Sequence, residues 1–124
     1  SLDRTRDVPD YLYGRLWAVY YKMEYDTFTD EEKGRRETNA DRYRALIVKE
    51  PGKAWMMMKI KIQPYRRKLN IKAQNYYDRE LQEISDLFDP DKKVERNLGQ
   101  EFLIAYNCQL SEMWRSKKEE KEKE

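Results

Sequence analysis

Residues 51–72 read PGKAWMMMKIKIQPYRRKLNIK, and this stretch decides the fold class. Trp55, Met58, Ile62, Tyr65 and Leu69 recur at spacings of three, four, three and four. That is one stripe of an α-helix, facing a partner helix. Pro51 opens the helix and ends the one before it, because a residue preceding Pro is pushed out of the α region. Pro64 falls inside the pattern, removes a backbone donor and predicts a kink. The same stretch holds seven basic side chains and no acidic one: Lys53, Lys59, Lys61, Arg66, Arg67, Lys68 and Lys72. Lys53, Lys59 and Arg66 follow at about seven-residue spacing, and Lys61 and Lys68 lie on a neighbouring line. Both lines oppose the apolar stripe.

The flanking sequence repeats the helical period. A first helix starts near Pro9, with Asp7 a plausible cap, and presents Leu12, Leu16, Val19, Tyr20 and Met23. Residues 26–37 are polar and read as a loop or a frayed helix end. A second helix runs from Thr38 or Asn39 to Lys49, with Tyr43, Leu46 and Ile47 inward. A fourth spans about Ala73 to Leu87, with Tyr77, Leu81, Ile84 and Phe88 inward. Asp89-Pro90-Asp91 is a turn. Asn97 followed by Gln100 is a capping-box pattern for a last helix, whose stripe is Phe102, Tyr106, Leu110 and Met113, beside Leu103 and Trp114. No segment has strand period and no internal repeat is visible. The expectation is an all-α fold, a helical bundle of about five helices forming one domain over 1–115. The charged tail at 116–124 reads as a solvated helix extension or a disordered end.

Composition agrees. Charged residues make up 40% of the 124, yet three Trp, ten Tyr and three Phe argue against disorder. A single cysteine, Cys108, allows no disulfide framework and points to the cytoplasm. No apolar run approaches the roughly 18 residues of a membrane span, and no signal peptide is visible. The first residue is Ser rather than Met, as in a processed or tagged chain or the end of a longer one.

Catalytic chemistry has little to stand on. With no His, neither a Ser-His-Asp nor a Cys-His arrangement can be written. One Cys makes no zinc set, and Cys108, in the apolar part of the last helix, reads as an inert buried thiol. The carboxylate runs Asp30-Glu31-Glu32 and Asp89, Asp91 lie in expected loops with nothing to raise a pKa. Gly14, Gly34, Gly52 and Gly99 are isolated, so no phosphate-cradling loop is present. Neither an enzyme nor a cofactor is expected.

The charge pattern rises above this background. Residues 33–72 hold 13 basic against three acidic side chains, a net of +10, while 1–32 and 73–124 are each at −4. The whole chain is at only +2. A block of one sign repels itself unless something negative sits against it: nucleic-acid phosphates, an acidic partner or solvent counterions. The candidate nucleic-acid contacts are Arg42, Arg44, Lys49, Lys53, Lys59, Lys61, Arg66, Arg67, Lys68 and Lys72. Such contacts position a backbone and carry no sequence information. A basic solvated face or a protein-docking face is the alternative.

Four stretches carry a resemblance: VPDYLYGRLWAVYYKME (8–24), TNADRYRALIVKEPGKAW (38–55), IQPYRRKL (62–69) and LGQEFLIAYNCQL (98–110). Their order and spacing resemble the C-terminal region of the large subunit of type I-C CRISPR interference complexes. Those systems also make this region as a separate small subunit. The matching positions are Tyr13-Gly14-Arg15-Leu16, Tyr43, Gln63–Lys68 and Ala105-Tyr106-Asn107-Cys108-Gln109. The chain departs from the pattern at Ala105, where the family usually has Gly, and at Gln109-Leu110-Ser111, where it usually reads Gln-Arg-Gln. The resemblance implies a helical-bundle subunit without a catalytic role, present in more than one copy along the belly of a guide-RNA complex. Its implied partners are the backbone subunits, the large subunit, another copy of itself, and the target or displaced DNA strand of the R-loop. In RNA-guided recognition base pairing reads sequence and protein holds backbones. Two functions are therefore expected as alternatives: R-loop stabilisation through a basic face, or a scaffold whose basic face docks an acidic partner.

Overall fold

A computed structural model describes residues 1–92 and 94–123, with side chains as far as Glu119. Among these residues the chain is all helix and turn, with no strand. The helices are α1 (Pro9–Tyr25), α2 (Asp30–Lys33), α3 (Asn39–Arg42), α4 (Arg44–Lys49), α5 (Pro51–Lys61), α6 (Gln63–Lys68), α7 (Ile71–Leu87) and α8 (Glu101–Lys123). Because α3 and α4 are interrupted only at Tyr43, they act as one, and about seven helices replace the five expected. Two of the extra breaks have local causes. Thr29 and Glu32 form a reciprocal capping box that starts α2 inside the stretch expected to be loop. Pro64 divides the long third helix into α5 and α6 at Ile62, which keeps α-region angles, and Gln63 Nε2 donates to the Lys59 carbonyl at 3.2 Å.

The central helix is α1, with 14 of its 17 residues buried, so its polar side chains must find partners inside the fold. Glu24, Arg15 and Asp10 find theirs on other elements, and Lys22 finds its acid at the C-cap of its own helix. Glu24 accepts from the backbone N–H and side chain of Asn39, both at 2.9 Å, which fixes the start of α3. Lys22 Nζ donates to Asp26 at 2.7 Å and lies 4.2 Å from the centre of the Trp114 ring. Arg15 and Asp10 reach α7, α8 and the turn before α8. Helix α8 packs most extensively on α1. Contact is closest at Gly14, where a Cβ would stand 2.2 Å from the Phe102 carbonyl oxygen and 2.9 Å from the Ala105 Cβ. Only glycine fits there.

Several end signals differ from expectation. Val8, not Asp7, occupies the N-cap of α1 and makes no side-chain cap bond; Pro9 begins the helix. Helix α7 begins at Ile71, two residues before the expected start, and Asn70 caps it by accepting from Ala73 N–H at 2.8 Å. Helix α8 begins at Glu101, and the carboxylate serving this end is Asp10, which accepts from Gly99 N–H at 2.6 Å. A side chain from another helix thus holds the turn leading into α8, ahead of the helix rather than as its cap. The apolar stripes are buried at Met58, Ile62, Leu69, Tyr77, Ile84, Phe102, Tyr106 and Met113. Trp55 is only half-buried: its ring stacks on Tyr20 at 5.7 Å and its Nε1 donates to Asp91 at 2.7 Å. Leu103 and Trp114 are exposed, and Cys108 is a half-buried free thiol rather than a core one. The charged end continues as α8 through Lys123; Glu124 lies outside the described residues. No helix among the described residues is long and apolar enough to cross a membrane.

Candidate nucleic-acid interface

The break at Ile62 separates the seven-residue lines of cations, so Lys59 and Arg66 do not share one straight helix face. Each instead meets an acid from the C-terminal flank. Lys59 Nζ lies 3.3 Å from Asp91 Oδ1, and Arg66 grips Asp78 with two hydrogen bonds of 3.1 and 2.6 Å. Hydrogen bonds from Trp55 and then from Lys59 hold the Asp91 carboxyl below its usual range, and the bond to Asp78 raises the Arg66 pKa. Solvent screens such pairs strongly, so they leave both cations available to a stronger anion.

Other candidates lie over aromatic rings. The Arg44 guanidinium sits 4.0 Å from the Tyr106 ring centre and 5.3 Å from that of Phe102, capping α8 from α4. Burial pushes the Tyr106 hydroxyl up to about 12, with Arg44 opposing. That makes Arg44 a packing residue. Lys61 lies 5.6 Å from Tyr43 and Lys68 5.4 Å from Tyr65, both exposed. Arg42, Lys49, Lys53 and Arg67 are exposed and have no ion-pair partner among the described residues. These four cations of the central block are therefore not neutralised by any ion pair among the described residues.

Two candidates, Lys68 and Lys72, are brought into a single open groove of about 770 Å³. It lies where α1 ends, α6 turns into α7, and the second half of α8 meets them. Lys22, Arg79 and Lys117 line it as well. Sequence reading missed these three because Lys22 sits in an apolar helix and the other two in acidic stretches. Burial pushes the Lys22 pKa down, and Asp26 partly opposes it. The Tyr77 hydroxyl donates to Asp26; burial first and Asp26 second push its pKa up.

No curated protein matches this chain. A family model described as CRISPR-associated protein (Cas_Csd1) matches residues 1–114, which spans all eight helices as far as the aromatic part of α8. With nearly the whole chain covered, the chain belongs to the Cas_Csd1 family of CRISPR-associated proteins.

Proposed function

We propose that the chain acts as a non-catalytic small-subunit module of a type I-C CRISPR surveillance complex. In this reading it lines the complex beside the backbone and large subunits. It stabilises the R-loop by sequence-independent contacts to target or displaced DNA. The observation that carries the reading lies on the α3–α6 arm: Arg42, Lys49, Lys53 and Arg67 are exposed without an ion-pair partner among the described residues. Exposed cations fixed on helices suit phosphates along a backbone and read no base. The lack of His and of a paired Cys supports a holding rather than a chemical role.

A second reading has its own support. On α5, Met56 and Ile60 are 51% and 71% exposed beside Lys53 and Lys59. Apolar side chains rimmed by charge suit a protein partner. The two readings separate in an assembled complex carrying Lys49→Glu, Lys53→Glu and Arg67→Glu. A shortened R-loop lifetime with intact assembly supports DNA holding. Failed assembly by a chain that still melts normally supports the scaffold.

A further inference from the structure

Helix α5 buries one side in the core and holds a short apolar ridge out on the other. Pro51, Ala54 and Met58 are buried, while Met56 and Ile60 are 51% and 71% exposed. With 3.6 residues per turn, the two exposed side chains stand opposite the buried three and one turn apart. Cations border this ridge on both sides: the helical period puts Lys53 and Lys61 along one border and Lys59 along the other. Lys53 is exposed, Lys61 lies 5.6 Å from the Tyr43 ring centre, and Lys59 meets Asp91 at 3.3 Å. Residues 51–68, which hold α5 and α6, include no acidic side chain. At Gly52, one turn before Met56, an added Cβ would meet nothing within 4 Å, so that end of the ridge is open.

We infer that Met56 and Ile60 insert between base pairs of a duplex whose two backbones lie along the flanking lysines. The inference rests on the nucleic-acid reading above and adds a contact that phosphates do not supply. Aliphatic side chains held out from a protein wedge between base steps and partly unstack them, and Ile and Met are among the residues that do so. The spacing fits. One helical turn sets the two side chains about 6 Å apart along the axis. Two base steps span about 6.8 Å. A duplex opened at such a step is the boundary of an R-loop, so a wedge there resists reclosing of the strands. Two features favour a nucleic acid over a protein. Cations on both borders match two phosphate backbones. The ridge is also only two side chains wide, whereas a stable protein interface takes about 800 Å² from each partner. The other exposed large apolar residues, Ile71, Leu103, Ile104 and Trp114, stand on α7 and α8.

The test uses the full chain and a 12-base-pair duplex carrying 2-aminopurine, a base whose fluorescence rises on unstacking, at its inner adenines. Wild type should raise that fluorescence on binding. Met56→Ala with Ile60→Ala should bind about fivefold or more weakly, through lost apolar burial, and leave the fluorescence near that of free duplex. Its log K should keep the wild-type slope against log salt, since no phosphate contact is removed. Leu103→Ala with Ile104→Ala, similarly exposed on α8, should behave like wild type. Should the α5 double variant melt lower than wild type, Ile60→Ala alone gives the same reading with a smaller loss. An α5 variant with wild-type affinity and fluorescence overturns the wedge, while duplex binding by wild type keeps the wider reading. An α5 variant that binds duplex normally but fails to assemble into the complex gives the pair to a protein partner, and the wedge falls. A wild-type chain that binds single strand but not duplex overturns the wedge alone; one that binds neither overturns both readings.

Discussion

Arg15 Nε donates to the Gln109 amide oxygen at 2.8 Å, and both side chains are fully buried. The pair belongs to a closed ring. Gln109 Nε2 donates to Glu80 at 2.7 Å, Arg4 bonds Glu80 and Glu83 at 3.1 and 2.8 Å, and Arg15 Nη2 returns to Glu83 at 2.5 Å. Burial works against the charge on Glu83, yet hydrogen bonds from Arg15 and Arg4 hold its carboxyl below the usual range. The ring joins the N-terminal segment, α1, α7 and α8, so it fixes their register where apolar packing alone would permit sliding. One donor, Arg15 Nη1, is buried without a hydrogen-bond partner among the described residues.

Arg15→Met should therefore cost about 1–3 kcal/mol, because it leaves the buried Gln109 amide oxygen without its donor and removes one of the two cations held by Glu83. Denaturant unfolding measures it. Arg15→Met with Gln109→Leu and Glu80→Gln should lose less than the separate losses combined, since the three act as one network. Additive losses would show that the ring is not coupled.

Gly14→Ala adds one carbon, and that carbon meets a backbone carbonyl that cannot swing aside. The expected cost is about 1–3 kcal/mol or more, as for other overpacked helix contacts. Gly52→Ala is the control, with nothing within 4 Å of the added carbon. Equal melting temperatures for the two variants would refute the close approach of α1 and α8.

Asp10 shows a pH dependence with a defined sign. Its carboxylate accepts from Arg96 at 3.0 and 2.5 Å and from Gly99 N–H. The Arg96 bond, opposed by burial and helped by Gly99, lowers its pKa. A lowered pKa stabilises the fold above the unfolded value of about 3.9 and loses that stability as pH falls through the folded value. The melting temperature should drop on acidification below about pH 4. Asp10→Asn should melt lower at neutral pH and show a shallower acid slope. An unchanged slope would remove Asp10 from the acid response.

Tyr106→Ala should cost about 3–5 kcal/mol, since the ring is buried between α1 and α8 under Arg44. Trp55→Ala should cost less, although Trp is the larger residue, because half of its environment is a surface turn. A larger loss at Trp55 would reverse the assignment of the two rings.

The helices were legible where apolar residues repeat at helical spacing, as at Leu12–Met23 and Met58–Leu69, and the interruption at Pro64 follows from its missing donor. Periodicity marks only apolar faces. It therefore said nothing of Arg15, Lys22 and Glu24, which are buried in α1 because partners from other helices satisfy them. The same limit applies to the basic block. Charge counting found the excess at 33–72 but not that Asp78 and Asp91 would fold back on Arg66 and Lys59, 12 and 32 residues away. Nor could it bring Lys22, Arg79 and Lys117 beside Lys68 and Lys72, since that convergence exists only after α1, α7 and α8 have packed. The capping box at Thr29 and Glu32 was readable and lay hidden in a polar stretch.

The central claim is that this chain holds nucleic-acid backbone through its cations without reading bases. The most direct test titrates the chain with two single strands of unrelated mixed sequence across a salt series. With about four phosphates contacted, log K should fall against log salt with a slope of about −3, and the two strands should give the same line. A slope near zero, or two strands of different slope and affinity at every salt, would contradict the account.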